Sequence, residues 1–149
     1  MVNTILEDVA NNNFDKVKSM ILRMLTKNNS ILDFNETDGK GNSLLLLSII
    51  NNINIKNTKN TNNNKIIKLL IDNAVNNNID LNTNAKNNND CPLLKAADNN
   101  NTEAVKLLIN YAQRKSIPLD INIINTDTNY YTNYYYYFFL IFFFYFKSF

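Results

Sequence analysis

Apolar residues recur along this chain at spacings of three and four, broken by short polar turns. Ile5, Leu6 and Val9 share one face of a short helix, and Val17, Met20, Ile21, Met24 and Leu25 share one face of a second. Asn11-Asn12-Asn13 reads as the turn between them. Ile31-Leu32-Asp33-Phe34-Asn35 then reads as an extended coda, and Glu36-Thr37-Asp38-Gly39-Lys40-Gly41-Asn42 as a hairpin or tight loop.

The next stretch is apolar all round. Ser43 is positioned as an N-cap, and the helix of residues 44–50 is expected to be buried on most sides. Residues 51–64 are polar and low in complexity, and read as an insertion. A longer helix follows, with Ile66, Ile67, Leu69, Leu70 and Ala74 on its buried side and Ile79-Asp80-Leu81-Asn82 as its coda.

The pattern then returns. Asp90 or Cys91 opens a helix with Pro92 in its first turn, where a missing N–H costs nothing. Leu93, Leu94, Ala96 and Ala97 line that helix. Asn99-Asn100-Asn101 turns the chain, and Thr102 is expected to cap a helix carrying Val105, Leu107, Leu108 and Ala112. Ile66-Ile67-Lys68-Leu69-Leu70-Ile71 thus recurs as Ala104-Val105-Lys106-Leu107-Leu108-Ile109. The second copy also ends on an extended coda, Leu119-Asp120-Ile121-Asn122. A helix and a coda that repeat imply stacked units, which usually work by presenting a surface.

Composition changes the picture in three ways. The chain has 149 residues and is 45% hydrophobic, enough for one domain with a real core, but it has only 2 Gly and 2 Pro. Its turns must therefore use Asn, which tolerates left-handed backbone angles. The abundance of Asn, Ile, Lys, Tyr and Phe, all with codons rich in A and T, fits a base-composition bias. The net charge of +2 is too small for a phosphate-backbone footprint, so no nucleic acid is expected. Cys91 is the only cysteine, which excludes an intramolecular disulfide and fits a reducing compartment. The first residues lack the basic end and apolar run of a signal peptide, so the glycan-acceptor triplets at Asn28, Asn35 and Asn100 carry little weight.

The unit of turn-rich finger, short helix, tight turn, longer helix and coda resembles the ankyrin repeat. Cys91-Pro92-Leu93-Leu94-Lys95-Ala96-Ala97 stands where that family has Thr-Pro-Leu-His-x-Ala-Ala, and Asn100 stands at its inter-helix Gly. Val105-Lys106-Leu107-Leu108 is similar to its second helix, and Asp120-Ile121-Asn122 to its closing Asp-Val-Asn. In the preceding unit, Ser43-Leu44-Leu45-Leu46 replaces Thr-Pro-Leu-His. Leu46 and Leu94 stand where the family has His, so they can only pack.

The resemblance implies an all-α, helix-turn-helix solenoid with finger loops and a short array. Its divisions would be a partial repeat at 1–34, a first full repeat at 35–82 with the insertion 51–64, a second at 83–122, a truncated start at 123–133, and an aromatic tail at 134–149. It also implies a protein partner, held by the fingers and the short-helix face. The residues it points to are Glu36, Asp38, Lys40 and Asn42 on one finger, Lys86, Asn87, Asn88 and Asp90 on the next, and Lys95 and Asp98 on the short helix.

Site chemistry is sparse. There is no His, the commonest general base and metal ligand. A lone Cys without a His partner is a poor nucleophile candidate, and a packed, inert thiol is the expectation for Cys91. Gly39-Lys40-Gly41-Asn42-Ser43 lacks the spacing of a phosphate loop. Asp33-x-Asn35-x-Thr37 echoes a calcium loop, but Asp38 replaces the required Gly and Leu44 the required Glu. No enzyme activity, catalytic residue, metal, cofactor or small-molecule substrate is expected.

Fourteen of the seventeen Tyr and Phe residues lie in residues 130–149. Three readings stay open for this tail. It is short for a membrane span, yet residues 130–146, which open on Tyr130 and close on Phe146, offer a membrane contact. It could instead cover the open end of the stack, or be the accidental end of an interrupted array. The expected location is cytoplasmic, with membrane association through the tail as the alternative.

Overall fold

The structure, a computed structural model, describes residues 3–26, 33–50, 61–84 and 91–119. These residues form six helices: α1 (Asn3–Ala10), α2 (Phe14–Thr26), α3 (Leu44–Ile50), α4 (Thr61–Asn76), α5 (Pro92–Asp98) and α6 (Thr102–Lys115). Among the described residues there is no strand, only one isolated antiparallel bridge between Thr37 and Ser43. The fold is all-α.

Short and long helices alternate and pack in pairs, α1 on α2, α3 on α4 and α5 on α6. The short helices also meet in succession, α1 on α3 and α3 on α5. The long helices do the same, α2 on α4 and α4 on α6. Their apolar stripes meet in one core. Leu44, Leu45, Leu46, Leu47 and Ile49 of α3 are all buried, which fits a helix with no polar face.

Two of the turns match bond for bond. In the first, Asn12 N–H donates to the Val9 carbonyl and Asn13 N–H to Asp8; in the other, Asn100 donates to Ala97 and Asn101 to Ala96. Asn12 and Asn100 are left-handed, at φ 56° and 52°. The long helices also end alike. The Ile79 amide donates to the Ala74 carbonyl at 2.8 Å, and the Ile117 amide to Ala112 at 2.9 Å, beyond left-handed Asn78 and Ser116. Asn occupies three of the four left-handed non-glycine positions among the described residues, as its tolerance of that region allows.

Several boundaries differ from expectation. Thr61 begins α4, so residues 61–64 belong to a helix and not to the insertion. Asn63 is buried there, because α4 starts against its neighbours. Asn101, not Thr102, caps α6: its side chain accepts from the Ala104 amide, and Thr102 is the first helical residue. Leu69, Leu94 and Leu107 are half-buried, while Ile71, Ile109 and Tyr111 go fully into the core. Ser43 does cap α3, its hydroxyl accepting from the Leu46 amide at 3.2 Å. Cys91 stands at the N-cap of α5 with Pro92 after it, and is buried. The rest of the expected insertion (51–60), the expected second finger beyond Asn84, the coda after Leu119, the truncated repeat and the aromatic tail lie outside the described residues.

Candidate functional site

The finger ahead of α3 is built around one carboxylate. Asp38 Oδ1 accepts from the Lys40 and Asn42 amides, both at 2.8 Å, and Oδ2 accepts from the Asn42 side-chain amide at 3.0 Å. The Gly41 amide closes the turn on the Asp38 carbonyl at 2.9 Å, and Gly41 takes φ 84°, a conformation that suits glycine. Burial alone would push the Asp38 carboxyl up. The Asn42 side chain, the Asn42 and Lys40 amides and the Lys40 charge outweigh it and hold the carboxyl below its ordinary value.

Of the residues expected to contact a partner, Asp38 and Asn42 therefore hold the loop together. Asn42 is only 7% exposed. Lys40 projects to solvent and Glu36 is half-buried. Lys95 and Asp98 stand three residues apart on α5, half-buried and exposed in turn. Lys86, Asn87, Asn88 and Asp90 lie outside the described residues.

A second set of polar residues, not foreseen from the sequence, ties one unit to the next. The Asn35 side chain donates to the Asp80 carbonyl and accepts from the Asn82 amide, both at 2.8 Å. Asn84 donates to the Pro118 carbonyl at 2.7 Å. Asp80 and Pro118 each stand two residues past the left-handed residue that ends a long helix, so an Asn side chain takes up the same carbonyl twice. Asn99 donates to the Ile49 carbonyl at 2.9 Å, and Asn101 to Asn64 Oδ1 at 2.7 Å. Lys115 reaches back to Asp80 at 2.8 Å and to Asn78 at 2.9 Å. The one signal for these bonds was positional: such Asn residues sit at turns and codas, not in runs alone.

Among the described residues, no constellation with catalytic geometry stands out. Among the described residues, no three His, Cys, Asp or Glu residues approach closely enough to hold a metal ion. No described helix is long and apolar enough to cross a membrane. Leu22 on α2, 53% exposed, is the large apolar side chain left in solvent among them; a single one is ordinary. No family model, curated protein or solved structure matches the chain.

Proposed function

We propose that the chain is an ankyrin-like open stack of helix pairs, and that it acts as a protein-binding module through its finger and short-helix side. The observation that carries this reading is the order of packing: each pair meets the next, short helix on short helix and long on long. An arrangement of this kind presents an extended face in place of a closed pocket. The Asp38-braced finger supports it, because a loop fixed by its own carboxylate holds the Lys40 backbone in place before a partner arrives, which lowers the ordering cost of binding. The lack of His in the sequence, and of clustered carboxylates among the described residues, makes an enzyme the weaker reading.

Lysines on both sides of the molecule make this testable. A captured partner is cross-linked through amines and the products are mapped by mass spectrometry. The reading expects cross-links at Lys40 and Lys95. Cross-links confined to Lys18, Lys65 and Lys68, which are exposed on the long helices, would overturn it.

A further inference from the structure

The backbone requires only one of the chain's two glycines. Gly41 takes φ 84°, where glycine is favoured, whereas Gly39 stands outside that region and a Cβ built on it would meet nothing within 4 Å. What Gly39 supplies is an unhindered amide directly after Asp38. Asp38-Gly39 is the single Asp–Gly pair in the sequence, and there is no Asn–Gly pair.

Such a pair has a reaction of its own. The Gly39 nitrogen attacks Asp38 Cγ, a C–N bond forms and a Cγ–O bond breaks. The carboxyl hydroxyl departs as water with the proton from the Gly39 nitrogen, leaving a five-membered imide. Water then adds to one imide carbonyl. Opening at Cγ restores aspartate. Opening at the Asp38 main-chain carbonyl breaks the original peptide bond and leaves the chain running through the side chain, an isoaspartyl link with a free α-carboxylate. Water is the only co-reactant. The step needs a protonated carboxyl, because the oxygen leaves readily only as water.

The fold opposes this step chiefly through Asn42. Its backbone and side-chain amides donate to the Asp38 carboxylate at 2.8 and 3.0 Å, and its carbonyl accepts from the Asp38 amide at 3.0 Å. The Lys40 amide adds a further bond at 2.8 Å. Donors on both oxygens favour the charged form, which cannot release water. Closing the ring removes one of those oxygens and neutralises the other, so these bonds must be given up first. Gly39 is exposed, so packing does not protect the pair.

We propose that Asp38-Gly39 is a latent isomerisation site and that Asn42 keeps it closed. While Asn42 holds the carboxylate the finger persists. Once that hold is released, the Gly39 nitrogen closes on Asp38 and the finger passes to an isoaspartyl form, which has no side-chain carboxylate left in place to rebuild the brace. The inference concerns the chemistry of the finger and does not depend on its binding a partner.

The full-length chain is incubated at near-neutral pH and sampled over weeks, folded and in guanidinium chloride. Tryptic cleavage after Lys27 and Lys40 releases residues 28–40, and electron-transfer fragmentation locates isoaspartate within them. Isoaspartate at position 38 should accumulate slowly in the folded chain and much faster in denaturant. Folded Asn42→Ala, which loses one hydrogen bond to the charged carboxylate, should isomerise roughly tenfold faster than the folded parent. Gly39→Ala, for which the fold has room, should slow the reaction in denaturant. Circular dichroism shows whether Asn42→Ala folds; if it does not, the comparison of the folded and denatured parent decides. Equal rates in the folded and denatured parent overturn the proposal. So does a folded Asn42→Ala chain that isomerises at the parent rate, isoaspartate that gathers at Asp33 in place of Asp38, or a rate in denaturant that Gly39→Ala leaves unchanged.

Discussion

The hydroxyl of Tyr111 accepts the backbone amide of Leu81 at 2.8 Å. The same hydroxyl donates to the Ile79 carbonyl at 3.2 Å, and the Tyr111 side chain is 1% exposed. One residue of α6 thereby fixes the coda of the preceding unit, which forms no strand ladder to satisfy its own polar groups. Tyr111→Phe keeps the ring and removes both bonds, leaving a buried N–H without its partner. The expected cost is about 1–3 kcal/mol, read as a lower midpoint in urea denaturation with an unchanged helical spectrum.

Asn35 holds the same coda from the other side, with both ends of its amide used. Asn35→Asp keeps an acceptor for the Asn82 amide but can no longer donate to the Asp80 carbonyl, and it places a carboxylate near Asp80. It should therefore be less stable than Asn35→Ala at neutral pH. Protonation of the new carboxyl at acid pH should narrow the gap. Paired denaturation curves at the two pH values check the order.

Asp38 carries a pH dependence with a definite sign. Its folded carboxyl titrates below its ordinary value of 3.8. The stabilisation is therefore complete above that value and is lost as pH falls through the folded pKa. Asp38→Ala should lower stability at neutral pH, and the difference from the parent chain should shrink at pH values well below 3.8. Thermal melts of both chains across that range provide the check.

Asn12 and Asn100 are both left-handed, but their side chains are placed differently. The Asn12 Oδ1 atom is buried without a hydrogen-bond partner. Asn12→Gly accepts the φ of 56° without strain and removes that orphan, so it should stabilise the chain by about 1 kcal/mol. Asn100→Val should instead cost about 1–2 kcal/mol, the penalty of a left-handed angle on a side-chain-bearing residue. Opposite shifts of the melting temperature are the expected readout.

Much of this fold was legible because two periodicities coincide. Spacings of three and four marked α1, α2 and α4–α6, and the unbroken apolar run marked α3. The repeated phrase placed α4 and α6 in register, and Asn at turns stood in for glycine at Asn12 and Asn100. What was not legible depends on neighbours distant in sequence. Thr102 is a better cap by type than many residues, but Asn101 caps α6 while its amide also holds Asn64, a bond 37 residues away. Leu69 and Leu107 follow the local stripe yet are half-buried, while Tyr111, a polar-tipped residue, goes inside because a coda needs its hydroxyl. In the finger, the resemblance pointed to Asp38 for partner contact, but its carboxylate is taken up by the turn it closes.

The most direct measurement is a set of methyl–methyl nuclear Overhauser contacts on the Ile-, Leu- and Val-labelled chain. An open stack predicts contacts from Val17 and Ile21 of α2 to Ile66 and Leu70 of α4, and from Ile67 and Ile71 of α4 to Leu108 of α6, with none from Val17 or Ile21 to Val105 or Leu108. Contacts between α2 and α6 would mean a bundle closed on itself, and would contradict the account.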